Sequence, residues 1–393
     1  MTRQLEGQNG RQSKRGELRR GHGERRKLSS VSDLVDAGLI LESDIAALEP
    51  VGERYAVALS PTIVEAIRTE RARGLADGPM ARQFLPDARE GVTHAEEVAD
   101  PIGDQLKSPV PGIVHRYPDR ALLKLATACP VYCRFCFRRE QVGPGQAAML
   151  PADDLAGALA YIRNTPAIWE VILTGGDPLV LAPRHLRTVQ AALSDIEHVK
   201  IVRWHTRVPV VAPELLTADL IAALVVPGKT TYLALHANHA DEFTPEADAG
   251  LRALRDAGLV LVSQSVLLRG INDDVATLEA LMRTFVERGI TPYYLHHPDL
   301  APGTRHFRLS IAEGQELMRA LRGRLSGLAQ PTYVLDMPGA FGKVPIGPNY
   351  VSQTDDGVAI LATDGRVHAY PDLQEPDGDG WEGSAQPSPV QDI

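Results

Sequence analysis

Cys129, Cys133 and Cys136 are the only cysteines among 393 residues, and they fall together in the run CPVYCRFC. A CxxxCxxC triplet supplies three thiolates, one fewer than closes an ordinary iron–sulfur cluster. A [4Fe–4S] cluster held here therefore keeps one iron open, and an open iron is where chemistry takes place. A lone cysteine in a soluble chain is most often a small buried hydrophobe. Three on one loop-like stretch after the apolar run ALLKLAT, with none elsewhere, do not fit that reading. A closed structural zinc site needs four ligands, and no further cysteine pair or HxxxH partner lies nearby.

Two other stretches carry chemistry. In TGGDP, Gly175 and Gly176 let a backbone approach a ligand closely, and Asp177 can accept hydrogen bonds from an ammonium. Alone, such a triplet is also an ordinary turn. Lys343 lies seven residues after Asp336 in VLDMPGAFGKVPIGPNY, flanked by Gly342 and by the apolar Val344, Pro345 and Ile346. A loop lysine is usually a solvated cation, but partial burial lowers an amine's pKa, as a Schiff-base lysine requires.

These residues need a scaffold to converge. Beyond Leu122, strand-like runs recur about every 30 residues: ALLKLAT, WEVILTG, VKIVRWHT, TYLALHA, LVLVSQSVLL, PYYLHH and TYVLD. Amphipathic stretches such as DDLAGALAYI and EADAGLRALRDAG lie between them, a rhythm that specifies βα units and a parallel sheet. Seven strands, the last without a full helix, suit an incomplete barrel of (β/α)6 type, α/β in class. Ligands in such sheets gather at the carboxyl ends of the strands. The cysteine loop follows the first of those ends.

The expected organisation is a disordered basic arm at 1–28, a mostly helical region at 29–107, the partial barrel at 108–330, a lysine-bearing segment at 331–370 and a disordered tail at 371–393. The arm is too polar to offset its ordering entropy, and Glu6, Glu17 and Glu24 interrupt the positive charge that a transit peptide keeps. A net charge of -9 argues against nucleic acid or a membrane surface as the main partner. No apolar run reaches the length needed to span a bilayer. Unpaired cysteines and a low-potential cluster point to a reducing cytoplasm.

The cysteine spacing resembles that of radical S-adenosylmethionine (SAM) enzymes. CPVYCRFCFRR, LTGGDPL, HTRVPVV, SQSVLLRGIND, HHPDLAPGTRHFR and the Asp336 to Lys343 loop, in that order, resemble the lysine 2,3-aminomutase family from about residue 85 to residue 360. The resemblance implies that the three cysteines hold the cluster, and that Gly175, Gly176, Asp177 and Gln264 contact SAM. It further implies that Lys343 forms the Schiff base with pyridoxal 5'-phosphate (PLP), with Arg116 and Arg120 at the PLP phosphate. Arg138 would pair with a substrate carboxylate, a bidentate task suited to a planar guanidinium. Asp299 and Asp336 would grip the side-chain ammonium of lysine. Two carboxylates converging on one pocket push one pKa upward unless a cation sits between them. Asp336, directly after a strand, could also serve as a turn cap.

Two departures stand out. Phe135 occupies a position at which founding members carry His. Founding members also close their oligomer with a cysteine-ligated zinc, whereas this chain has Asp274 at the corresponding position and no cysteine in its tail. No zinc is therefore expected, and a homo-oligomer remains an open expectation. The implied reaction moves the α-amino group of L-lysine to the β-carbon, an isomerisation fed by an electron donor such as flavodoxin or ferredoxin. The alternatives are supply of β-lysine for elongation factor P modification, another basic amino acid such as arginine, and an inert iron–sulfur regulatory protein.

Overall fold

The computed structural model describes residues 27–371 except 144, 146, 355 and 356. Nine strands form one sheet in sequence order. They are β1 (Ile113–Tyr117), β2 (Arg120–Ala126), β3 (Glu170–Gly175), β4 (Ile201–Thr206), β5 (Thr230–His236), β6 (Val260–Val266), β7 (Thr291–His296), β8 (Thr332–Met337) and β9 (Gly342–Pro345). The seven runs read from the sequence are β2 to β8, and every pairing among them is parallel. β1 and β9 add one antiparallel strand at each edge. The segment bearing Lys343, expected as a loop, is the edge strand β9, and Arg116 and Arg120 fall on β1 and β2.

Local chemistry sets the helical returns. Helices 61–72, 183–194 and 245–256 begin with Pro at the first helical position, where its missing N–H costs nothing. Ser60, Thr217, Thr244 and Ser310 cap helix N-termini with their hydroxyls. Asp274, the residue at the family's zinc-cysteine position, does the same for helix 275–287 by accepting from Thr277 N. β3 and β4 are buried almost throughout, as strands covered by helices on one face and by the barrel interior on the other must be, whereas burial alternates along β6.

The edge strands are not joined by a ladder. Side chains bring them together instead: the Lys343 backbone N–H on β9 donates to the Tyr117 hydroxyl on β1 at 2.5 Å, and Arg116 of β1 reaches within 3.9 Å of Asp336 on β8. The ring is thus nearly closed at the level where the strands end. The segment expected at 331–370 continues the barrel's own sheet through β8 and β9. It then forms a separate antiparallel sheet of β10 (Val351–Thr354), β11 (Gly357–Leu361) and β12 (Val367–Tyr370).

Residues 31–84 supply four helices, at 31–36, 45–54, 61–72 and 79–84. Their Leu34, Leu59, Ile63, Ile67 and Phe84 belong to the same hydrophobic core as the barrel strands. The arm and tail expected at 1–28 and 371–393 fall outside the described residues, apart from Lys27, Leu28 and Pro371. Leu28 makes an isolated bridge with Leu59.

Candidate active site

One cavity of about 350 Å³ opens at the carboxyl ends of the strands. It is lined by all three cysteines, by Gly175 to Asp177, and by Arg116, Arg120, Arg138, Gln264, Asp299, Asp336 and Lys343. Every site residue named from the sequence therefore reaches one space.

At one end the cysteine loop is pinned on several sides. The Gly176 and Asp177 backbone N–H groups donate to the Ala126 and Ala128 carbonyls at 2.5 and 3.0 Å. A β-carbon on Gly175 or Gly176 would lie 2.3 Å from one of those carbonyl oxygens, and Gly175 also has φ +113°. The approach of the cysteine loop by itself requires glycine at both positions, which also line the cavity. Asp177 has a structural task of its own. Its buried carboxylate accepts from the Thr206 hydroxyl, Arg207 N and Leu179 N. It fixes the ends of β3 and β4 and has no oxygen free of protein contact.

Below the loop, Glu90 is fully buried between Arg134, whose Nη2 is 2.7 Å away, and Arg139. Arg207 presents Nη1 to Cys133 Sγ at 2.8 Å, and its Nη2 donates to Gln83 and to Glu242. Burial pushes all three cysteines upward, with neighbouring thiols adding to it at Cys129 and at Cys136, which reaches about 11, while Arg207 works against that rise at Cys133. Loading metal must displace protons from them. Among the described residues, no group of three His, Cys, Asp or Glu is arranged to hold a single metal ion. Three thiols facing one cavity, with a guanidinium against one of them, fit a cluster.

The opposite end is built from Asp104, Arg116, Arg138, His296, Asp299, Asp336 and Lys343. Arg138 is buried, and its Nε and Nη2 converge on Asp104 Oδ2 at 3.2 and 2.8 Å. Nη1 points to Thr174 Oγ1 at 3.5 Å. The fork edge expected to meet a substrate carboxylate is thus occupied by Asp104, which leaves the outer Nη1 side. Asp104 Oδ1 also takes Arg116 Nη2 at 3.1 Å, so one acid aligns two arginines. Arg116 Nε is buried without a partner. Arg120 pairs with Asp119 at 2.7 Å and stacks over Tyr117 while lining the cavity.

Lys343 Nζ rests on Asp336 Oδ2 and lies 3.4 Å from His296 Nδ1, which is itself 3.2 Å from the same oxygen. Burial works against ionisation of Asp336, but the His296 hydrogen bond and the Lys343 charge hold its carboxyl well below the usual range. Asp299 shows the opposite. Burial and the charge on Asp336 push it up to about 7. The two carboxylates are driven apart as converging acids must be.

Gln264 on β6 lies 3.5 Å from His205. Phe135 packs in an apolar cluster with Leu268, Ile271 and Phe307, edge-on to His236. Sequence reasoning missed Asp104, Glu90, Gln83, Glu242 and His296. The one available signal was the arginine density of CRFCFRR and HTR, since buried guanidiniums need acids.

A nearly closed parallel βα barrel with a three-cysteine loop at the end of its first parallel strand defines a radical SAM protein, and residues 123–281 match the Radical SAM superfamily. That domain implies a [4Fe–4S] cluster and SAM. Residues 318–386 match the family described as Lysine-2,3-aminomutase. The L-lysine 2,3-aminomutase of Clostridium subterminale is 41% identical over 293 residues, covering 74% of this chain and 70% of that one. The L-lysine 2,3-aminomutase of Fusobacterium nucleatum is 37% identical over 345 residues, covering 88% and 80%. A glutamate 2,3-aminomutase of Clostridioides difficile is 32% identical over 342 residues, covering 87% and 79%. The chain belongs to the lysine 2,3-aminomutase family of radical SAM isomerases. No helix among the described residues is long and apolar enough to cross a membrane.

Proposed function

We propose that this protein is a PLP-dependent 2,3-aminomutase that converts L-lysine to β-lysine. The observation that carries the reading is the amine of Lys343 lying on Asp336, with Asp299 raised beside it. A primary amine already sits where two carboxylates converge, so the pocket is built for an ammonium.

The residues fit the groups the reaction needs. Cys129, Cys133 and Cys136 hold the cluster, the strand end at Gly175 to Asp177 and Gln264 on β6 border SAM, and Lys343 holds PLP. Arg116, whose buried Nε lacks a partner, and Arg120 are the cations available to the PLP phosphate. When bound, PLP supplies a carbon–nitrogen double bond and delocalisation at the migrating nitrogen, and SAM with the cluster supplies one-electron hydrogen abstraction.

The chain's own task is positioning. Arg138, aligned by Asp104 and Thr174, presents its Nη1 side to the substrate carboxylate. Asp299 and Asp336 take the far ammonium once Lys343 leaves Asp336. Holding both ends fixes which carbon faces the SAM side of the cavity, and that proximity selects the hydrogen. His296, kept neutral by burial and by Lys343, donates its Nδ1–H to Asp336 and so orients that carboxylate beside Lys343.

A glutamate side chain would place a third carboxylate against Asp299 and Asp336, which argues against the substrate of the 32%-identical relative. Arginine, with the same clamp and a longer far end, is the second reading. The test is an anaerobic assay of iron- and PLP-reconstituted protein with SAM and a strong reductant, offering L-lysine, L-arginine and L-glutamate in parallel. Chiral chromatography should find β-lysine, lost in Lys343→Ala. Turnover of glutamate alone overturns the reading, and a protein that never shows bound-PLP absorption would be the inert iron–sulfur alternative.

A further inference from the structure

We propose that Arg207 and Glu242 form a charge pair that sets the reduction potential of the cluster through Cys133. The reaction proposed above gives the motif HTRVP no part, yet its arginine lines the same cavity and is held on several sides. Its backbone N–H donates to Asp177 at 2.8 Å. Nη1 donates to Cys133 Sγ at 2.8 Å. Nη2 donates to Gln83 Oε1 and, at 2.8 Å, to Glu242 Oε2. The guanidinium also lies over Phe84 and Phe135, with ring centroids at 4.8 and 5.4 Å. Arg207, Gln83 and Glu242 are 5%, 0% and 1% exposed, so water screens none of these charges.

Glu242 is fixed as firmly. Its Oε1 accepts from Asn238 N, His239 N and Gln83 Nε2 at 2.7, 3.0 and 3.2 Å. The arginine is therefore held by partners that do not include the cysteine, with its N–H aimed at sulfur.

An N–H···S bond and a fixed positive charge stabilise the reduced cluster, which carries one more electron, and so raise its potential. The buried negative charge of Glu242 behind the guanidinium lowers it. One electron enters the cluster from the donor, no bond forms or breaks, and the guanidinium keeps its proton throughout. The pair makes the cluster reducible by a one-electron flavin or iron–sulfur donor without removing its power to reduce a sulfonium. Only the cluster of the radical SAM family is required, so the inference is independent of which amino acid is the substrate.

The measurement is a mediator titration of the full-length, reconstituted protein without amino acid, driven by dithionite and followed by the electron paramagnetic resonance of the reduced cluster. Iron content is determined on each sample. Arg207→Gln should shift the midpoint to lower potential and Glu242→Gln to higher potential, with the double variant returning toward the parent. Opposed shifts at full iron loading support the pair, because a merely structural role changes stability or iron content without that sign reversal. Midpoints that do not move, or that move in the same direction, overturn it. If Arg207→Gln fails to load iron, Glu242→Gln decides alone: a rise supports the pair, and no change or a fall overturns it.

Discussion

The two ends of the cavity are held in different ways. Around the cysteines, charged groups are buried and paired to permanent partners: Glu90 with Arg134 and Arg139, Arg207 with Glu242, Asp177 with Thr206. Around Lys343, the pairs are provisional. Lys343 occupies Asp336, and Asp299 is pushed up to about 7 beside it, while Asp104 stays on the fork of Arg138 and leaves its Nη1 side outward. The cluster end is preorganised, whereas at the amino-acid end Lys343 stands on Asp336 in the place of a ligand that must displace it. That division suits a site in which one group stays in place and another arrives and leaves at every turnover.

Breaking the permanent side should have the largest effect. Glu90→Ala leaves two buried arginines without a counter-ion, a loss of roughly 3–5 kcal/mol in folding free energy. Chemical denaturation of the reconstituted protein should read it, together with lost iron. A denaturation midpoint equal to the parent's would mean that the cysteine loop does not depend on this triad.

On the provisional side, Asp299→Asn removes one charge-assisted partner of the substrate ammonium and should raise KM for L-lysine about 100-fold, or ~2.7 kcal/mol, with the fold intact. Steady-state kinetics and circular dichroism check the two halves. An unchanged KM would detach Asp299 from the ammonium.

The smallest effect is in pH. Asp299 carries its proton below about 7 in the free protein, and an ammonium requires the ionised form. Affinity for lysine should therefore rise with pH up to about 7 and level off above it, falling roughly tenfold per unit on the acid side. Calorimetric Kd values across that range should show this slope in the parent and none in Asp299→Asn. A flat parent profile would remove the comparison's sharpest point.

Much of the scaffold was legible in sequence because its signals are local. Alternating apolar runs and Pro- or hydroxyl-capped helices mark β2 to β8 and their returns, and a cysteine triplet after ALLKLAT marks its own place. Partnerships were not legible. Nothing in DARE states that Glu90 lies beneath Arg134, and nothing in IGDQ states that Asp104 separates Arg116 from Arg138. TGGDP does not reveal that its glycines also face the cysteine loop, since only the fold shows a carbonyl 2.3 Å from where a β-carbon would stand. β9 was hidden because four residues rich in Gly and Pro read as a loop until an edge strand offers them a ladder.

The hydrogen bond from Gln83 to Glu242 joins residues 159 positions apart, with the cysteines and Arg207 between them. During synthesis the helix bearing Gln83 is complete long before β5 has emerged, so the underside of the cysteine loop stays unfinished until more than half of the barrel has been made. A chain ending before Glu242 would carry all three thiols but lack the acid that holds Arg207 against Cys133.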